Sequence, residues 1–567
     1  MQRLTTPYEE KICEIPWNEY PRPQFKRDSF ICLNGRWDFS VTTSDNIPNE
    51  FTEKILVPFP PESPLSGIER EIRDGEYIYY RRFFTVPSEF VKDRLILHFG
   101  AVDQICTVYL NGKSITKHEG GYIPFSLDIT DFVNINSQNE LIVAVKDELS
   151  KIYPYGKQTK SRGGMWYTPV SGIWQTVWIE SLPIKPIRSF KITPTAVNVT
   201  LDIDTDAKEK TLTLKGTGES FTFTENTFTY TPRAPHFWTP SDPYLYEFTL
   251  STDTDSVDGY FALREIGITE IDGTKRLTLN GEPYLFCGLL DQGYFPDGIF
   301  LPATKEGYED DIRLAKELGF NMLRKHIKIE PLIFYHLCDK LGIVVFQDMV
   351  NNSNYSFIRD TALPTVGFKK LSDKNRHKNP RSREIFKQTM LDTIDLLYNF
   401  PSILCYTIFN EGWGQFLADE MYATAKGRDS TRLYDATSGW FWQNDSDFES
   451  EHIYFKRLRV KSKTQRPVFI SEFGGYSHRV DGHLFSKKNY GYKSFASVTD
   501  YENAVISLYK NEVLPLVRTS VCALVYTQLS DVEDETNGFV TYDRQVVKVD
   551  KTKMRSLLNE LYEAFKK

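Results

Sequence analysis

The sequence predicts three folded units in series, two β-sandwiches followed by a (β/α)8 barrel. Three observations predict this. The 567 residues suffice for about three or four domains at ~100–200 residues each. Up to residue 268 the apolar residues alternate or form short β-branched runs broken by turn signals, with no sustained helical period. From residue 269 onward strand-sized apolar runs alternate with amphipathic helical segments, over the ~250–300 residues that a (β/α)8 barrel requires. The 40% hydrophobic content excludes a disordered chain, and 33 Gly with 29 Pro exclude collagen-like or low-complexity sequence.

In the first unit, residues 1–181, strand-like runs occur at 79–86, 94–99, 106–110, 141–145 and 175–180. Asn111-Gly112 between two apolar runs is a hairpin signal, because both residues tolerate the positive φ of a two-residue turn. The segment Leu182-Pro183-Ile184-Lys185-Pro186 reads as a linker. Runs at 197–203, 210–214, 221–223 and 246–250 then suit one small sandwich of the immunoglobulin kind, residues 182–268.

In the third unit, residues 269–567, helical spacing appears at 311–318, 331–341, 383–400, from Thr499-Asp500, and at 553–565. Eight strands are expected, at 284–290, 321–325, 343–348, 403–410, 433–437, 452–455, 468–472 and 522–527. Long segments at 350–368 and 369–380 fall at or near the barrel mouth, where they shape the leaving-group side or meet a neighbouring subunit.

The net charge of −8 is spread without a long basic block, which disfavours nucleic acid or an anionic membrane as partner. Residues 1–17 include Glu9, Glu10, Lys11 and Glu14 and lack the ~7–15 apolar residues of a secretory signal. The longest apolar runs, such as 343–346, are far short of the ~18 residues that span a bilayer. Seven cysteines form no Cys-x-x-Cys pair, so neither a zinc ribbon nor a redox motif is supported, and most are expected as reduced, buried hydrophobes of a cytoplasmic protein. The 9 Trp, 32 Tyr and 39 Phe fit both β-rich cores and surfaces that stack on sugar rings.

Active sites of such barrels lie at the C-terminal strand ends. Glu411 follows the fourth predicted strand and Glu472 ends the seventh. Two carboxyl groups at one mouth can divide the cleavage of a glycosidic bond, one protonating the leaving oxygen and the other attacking the anomeric carbon or activating water. For either Glu alone, a surface ion pair is the simpler reading. Glycines directly after both, Gly412 and Gly474-Gly475, leave room for a ligand, and Trp413 offers a ring.

Asn410-Glu411 with Glu472 resembles the clan A retaining glycosidases. Several stretches narrow the resemblance to glycoside hydrolase family 2, the β-galactosidase and β-glucuronidase family. They are Val57-Pro58-Phe59-Pro60-Pro61-Glu62-Ser63, Tyr79-Tyr80-Arg81-Arg82-Phe83-Phe84, Gly120-Gly121-Tyr122-Ile123-Pro124-Phe125, Ser171-Gly172-Ile173-Trp174-Gln175-Thr176-Val177-Trp178 and Gly319-Phe320-Asn321-Met322-Leu323-Arg324. The resemblance covers nearly the whole chain. It implies a sugar-binding-like jelly roll, an immunoglobulin-like sandwich and a catalytic barrel, in that order. It also implies Glu411 as general acid/base, Glu472 as nucleophile and Asn410 as the partner of the sugar 2-hydroxyl. The implied reaction is double displacement with retention, with carboxyl groups ~5–5.5 Å apart.

Further candidates are Tyr454 as hydrogen-bond partner of the nucleophile, Arg324 near it, and His326 approaching the same pocket. Trp413 and Trp440-Phe441-Trp442 are candidate stacking walls, and Asp291-Gln292 and Asp348 candidate hydroxyl binders. Each has a plain packing or capping alternative. Three departures from the family pattern bear on substrate. Tyr526 stands where relatives carry a Trp flooring the sugar. Asp291-Gln292 stands where they carry a basic residue and His. Glu535-Thr536-Asn537 before Gly538 lacks the Lys of a uronate-reading Asn-x-Lys pair. The expectation is an exo-acting β-glycosidase, on β-galactosides first, with β-glucuronidase-like or arabinopyranosidase-like specificity as alternatives. A barrel that only binds carbohydrate is the rival outside enzymes. The expected partner is a small carbohydrate, with no cofactor and no essential metal; a homo-oligomer is compatible with the resemblance.

Overall fold

The computed structural model describes residues 3–460 and 464–566. Asn111 and Gly112 both take positive φ, 50° and 77°, and turn the strand Ile105–Leu110 back into Lys113–Glu119. That hairpin edges a six-stranded antiparallel sheet whose other members include Gly35–Thr42, Tyr77–Thr85 and Gln138–Lys146. A four-stranded sheet carrying Arg94–Phe99 and Val177–Leu182 faces it. Alternation along the strands sends Trp37, Phe39, Tyr80, Leu97, Val108 and Val143 into one apolar core between the two sheets.

A second sandwich pairs a three-stranded sheet, Ile187–Pro194, Val199–Thr205 and Thr227–Tyr230, with a four-stranded one that includes Lys210–Leu214 and Tyr246–Ser251. Its core holds Phe190, Leu201, Leu212, Phe248 and Phe261. Two buried contacts dock it on the barrel. The Trp238 indole donates to the Asp339 carbonyl at 2.8 Å, and the Tyr260 hydroxyl to the Asp339 carboxyl at 2.8 Å. A small three-stranded sheet, beginning with Ile266–Ile271 and Thr274–Leu279, leads into the barrel.

The barrel strands are β1 (Phe286–Asp291), β2 (Met322–Lys325), β3 (Val344–Asp348), β4 (Ile403–Asn410), β5 (Leu433–Ser438), β6 (Glu449–Ile453), β7 (Val468–Gly474) and β8 (Val521–Thr527). All their ladders are parallel, in the order β5-β4-β3-β2-β1-β8-β7-β6. Covered by helices outside and side chains inside, these strands are apolar on both faces, hence their unbroken hydrophobic runs. Phe286, Phe346 and Phe469 meet inside the barrel, with ring centroids 5.6 and 5.5 Å apart. Among the described residues β5 and β6 share no ladder; side chains and the Asp447 N–H, which donates to the Tyr434 carbonyl at 2.9 Å, close this seam. Ser450 Oγ donates to Asp435 at 2.7 Å, and Ser438 Oγ lies 2.9 Å from His452 Nε2.

The helices α1 (Glu306–Glu317), α2 (Leu332–Leu341), α3 (Pro380–Leu397), α4 (Ala418–Arg428), α5 (Val498–Leu508) and α6 (Lys551–Lys566) surround the sheet. Of these, α4 is not expected from the sequence. The sixth strand starts at Glu449 rather than 452, which leaves Tyr454 just past its end. Five cysteines are buried, and all seven are free. Among the described residues no helix is long and apolar enough to cross a membrane.

A loop of the first unit reaches the barrel mouth. Tyr155 donates its backbone N–H to the Asn351 carbonyl at 3.0 Å and its hydroxyl to the Ser353 carbonyl at 2.7 Å. Thr168 donates its N–H to the Glu533 carboxyl at 2.7 Å. The sandwich therefore forms one wall of the site.

Phe346 is fully buried where the inner rings converge. Phe346→Ala is expected to lower stability by about 3–5 kcal/mol through the cavity it leaves, read as a fall in the denaturant midpoint of the barrel transition.

Candidate active site

Glu411 is the first residue beyond β4, and the chain turns sharply there. Its φ is +52°, a left-handed conformation uncommon for a residue with a Cβ and typical of functional sites. Its N–H donates to the Ser438 carbonyl at 2.9 Å, and its carbonyl accepts the Trp440 indole N–H at 3.0 Å. Gly412 follows at φ +69°, where a Cβ would stand 2.1 Å from the Phe441 ring. The turn thus requires glycine at this place, and it aims the Glu411 side chain across the mouth.

Glu472 comes from β7 and is met by two donors. Arg324 Nη1 lies 3.2 Å from its Oε1, and the Tyr454 hydroxyl donates to its Oε2 at 2.7 Å. A guanidinium and a phenol together match an ionised carboxylate. Between the two acids stands His452, with Nδ1 2.8 Å from Glu411 Oε1 and 3.5 Å from Glu472 Oε2. One oxygen of each carboxyl and one ring nitrogen of His452 all lie within 4.8 Å of one another. Such a trio has the spacing of a metal cage, yet Glu472 already pairs with the Arg324 cation, so the donors fit an acid–base pair better than a resident ion.

Burial raises the pKa of Glu411, against the opposing charges of Lys157, His326 and Arg324. Burial pushes His452 down to about 3, so its ring is neutral at pH 7, and Ser438 fixes the far nitrogen. Asp348 lies below its usual range because Arg324 and His326 outweigh its burial; its carboxyl takes Arg324 Nε at 3.0 Å and His326 Nδ1 at 2.6 Å.

Asn410 also belongs to this cluster. Its Oδ1 accepts from Arg324 Nη2 at 3.0 Å, which leaves the NH2 for a ligand acceptor. The Tyr454 hydroxyl also meets Thr527 Oγ1 at 2.7 Å, and the Tyr454 ring stacks on Tyr492 at 3.9 Å. The structure therefore brings Asn410, Glu411, Arg324, Tyr454 and Glu472 together.

Four expected substrate contacts are engaged elsewhere. Asp291 is 3% exposed and pairs with Lys325 Nζ at 2.6 Å, so its charge is consumed inside the barrel wall. Gln292 is likewise buried and donates to Gln528 at 3.0 Å. Tyr526 has no exposed surface and stacks on Phe539 at 4.7 Å; residues alternate across a strand, and it is Thr527 that faces the mouth. Trp413 is 3% exposed, enclosed edge-on by Trp166 at 5.0 Å and Tyr155 at 5.5 Å. It wedges the first unit against the barrel instead of presenting an open face.

The sequence reading missed His452 as a site residue, along with Tyr355 and Tyr490. Both tyrosines are partly exposed; burial raises the pKa of each, and the nearby Glu411 charge adds to it. The segment 357–368 also borders the mouth. Its Asp360 is buried between Arg359 and Arg376, and its Phe357, Ile358, Val366 and Phe368 are exposed.

Comparison with known proteins agrees with this architecture. Residues 66–171 match the "glycosyl hydrolase 2 galactose-binding domain-like" model, and residues 274–565 the "glycosyl hydrolases family 2, TIM barrel domain" model. A β-galactosidase of Thermoanaerobacter pseudethanolicus is 26% identical over 453 residues, 73% of this chain and 55% of that protein. A β-glucuronidase of Bacteroides fragilis is 23% identical over 463 residues, 75% of this chain and 63% of that protein. The chain therefore spans less than two thirds of the length of either. The solved β-D-glucuronidase of Dictyoglomus thermophilum superposes with a TM-score of 0.74 at 18% identity, over 97% of this chain and 98% of that one; this likeness speaks for the fold. The family's barrel model alone accounts for more than half of the residues, and the chain belongs to glycosyl hydrolase family 2.

Proposed function

We propose that the chain is a retaining exo-β-glycosidase. The observation that carries this reading is the approach of the Glu411 and Glu472 carboxyls, with an oxygen of each inside a 4.8 Å cluster. Inverting enzymes hold their carboxyls ~6.5–9.5 Å apart to admit a water between them. In the first step Glu472 attacks the anomeric carbon, and the bond to the leaving oxygen breaks as Glu411 delivers its proton there. In the second step Glu411, now ionised, takes a proton from water, and that water's oxygen displaces Glu472 from the sugar. Burial of Glu411 favours the protonated form that the first step needs. Arg324 and Tyr454 hold the nucleophile in place, and Asn410 offers its amide to the 2-hydroxyl.

The glycone we propose is a β-galactoside. Its support is Asn537, buried with Oδ1 accepting from Gln528 at 2.8 Å, where a uronate reader places lysine. Asp291 lends no support, because its partner is Lys325.

A panel of nitrophenyl glycosides tests the reading. Wild type is expected to turn over the β-galactoside, and Glu472→Gln to lose at least ~10³-fold in kcat; turnover unaffected by Glu472→Gln would refute the assignment. Tyr454→Phe removes one hydrogen bond to a charged oxygen, worth about 1.5–3 kcal/mol, and its kcat is expected to drop ~10–100-fold with a smaller change in KM. Because Glu411 must be protonated and its pKa is raised, kcat/KM should fall on the alkaline side of the usual carboxylate range. Glu411→Gln should abolish that limb for substrates with good leaving groups, measured as a pH–rate profile.

A further inference from the structure

The first unit, the barrel and the N-terminal segment 17–22 together enclose a cavity of about 260 Å³. It shares no lining residue with the cluster around Glu411 and Glu472. Segment 17–22 is tied to both neighbours. Trp17 Nε1 donates to the Pro302 carbonyl at 3.2 Å, and the Tyr20 hydroxyl and Arg22 Nη2 each donate to the buried Glu180 carboxyl at 2.5 Å. The stretches 120–125 and 171–178, which the catalytic mechanism leaves unused, supply Tyr122, Gln175, Thr176 and Trp178 to the wall.

Most of that wall is apolar. Leu301, Ile333 and Leu396 line it from the barrel, and the Trp178 ring stacks on His98 at 4.7 Å. Against this surface stand donors without partners. Gln175 is 9% exposed, and its side-chain amide hydrogen-bonds to no described residue. Gly100 makes room for it, since a Cβ there would stand 2.7 Å from Gln175 Cβ and 3.0 Å from its Oε1. Arg22 Nε is buried and unpaired, although Nη2 of the same guanidinium serves Glu180. Helix α2 begins directly after Pro331 without a side-chain cap, and the N–H groups of Leu332 and Ile333 meet no described acceptor. Such leading amides carry a partial positive charge. The acids of the lining are already matched, Glu19 by Lys305 at 2.9 Å and Glu330 by Lys325 and Lys328 at 2.9 Å. His98 is engaged too, with Nδ1 2.6 Å from Ser126 Oγ and Nε2 3.5 Å from Glu180. The unspent polar groups are therefore mainly donors, set in an apolar chamber.

We propose that this cavity binds a small aryl carboxylate, its ring against the aromatic and aliphatic wall and its carboxylate on Gln175, Arg22 and the first amides of α2. The volume sets the size. An apolar cavity of ~150 Å³ takes one benzene ring, so 260 Å³ suits a ring with a short acid arm, about ten non-hydrogen atoms. A hexose would bring hydroxyls that need acceptors as well as donors, and the carboxylates here are already paired. An oxyanion satisfies the free donors, whereas a purely apolar ligand leaves them unmet. Because the wall comes from three parts of the chain, an occupant fastens them together and stabilises the folded state by mass action. The inference stands apart from the glycosidase reading.

Calorimetric titration of the full chain with phenylacetate tests this, beside 2-phenylethanol as its neutral analogue. Phenylacetate is expected to bind at one site per chain, at least ~10-fold more tightly than the alcohol. Gln175→Met removes the amide at nearly constant size, and Leu332→Trp fills the chamber while keeping its backbone N–H. Each should weaken phenylacetate at least ~10-fold, and phenylacetate should raise the thermal midpoint of wild type but not of either variant. Glu472→Gln, which alters the catalytic mouth, should bind phenylacetate as wild type does. No binding up to ~10 mM, equal affinity for acid and alcohol, unchanged affinity in both cavity variants, or loss of binding in Glu472→Gln would each overturn the proposal.

Discussion

The site is organised by one buried cation. Arg324, with no exposed surface, spends its guanidinium on the Asp348 carboxyl, the Asn410 amide, the Ser471 carbonyl and the Glu472 carboxyl. These groups come from β3, β4 and β7, so a single planar fork from β2 sets their mutual positions. A guanidinium is suited to this, because it offers five donors in a fixed geometry and stays charged when desolvated. Removing it would leave two buried carboxylates without their counter-charge, a far greater cost than the loss of any one contact.

The two acids then differ by what surrounds them. Glu472 sits against a cation and a phenol, whereas Glu411 has a neutral imidazole and buried surroundings. His452 is the separator. Held uncharged by burial, it stands between two acids without neutralising either.

Much of the architecture was legible in the chain. The parallel strands of a barrel are buried on both faces, and runs such as 343–348 and 403–410 announce themselves without any alternation. Helix α4 escaped because little of it is apolar, with Ala418, Met421 and Ala425 its buried residues. Glu411, Glu472, Asn410, Arg324 and Tyr454 were legible because each stands at or near the end of a recognisable strand. Asp291 and Tyr526 satisfied the same rule and still misled. A strand end fixes where a residue is, but the partner that claims its side chain, Lys325 in one case and Phe539 in the other, comes from elsewhere in the chain.

The seam between β5 and β6 has a consequence for motion. Seven of the eight interfaces around the barrel are backbone ladders; at the eighth, Ser450 and His452 reach Asp435 and Ser438 through side chains, and the lead-in to β6 adds the Asp447 N–H on the Tyr434 carbonyl at 2.9 Å. Backbone ladders open cooperatively, whereas a side-chain clasp opens by a rotamer change. The imidazole that stands between the acids is therefore also one of the ties across this seam. The barrel interface that lacks a backbone ladder thus runs beside the two candidate acids.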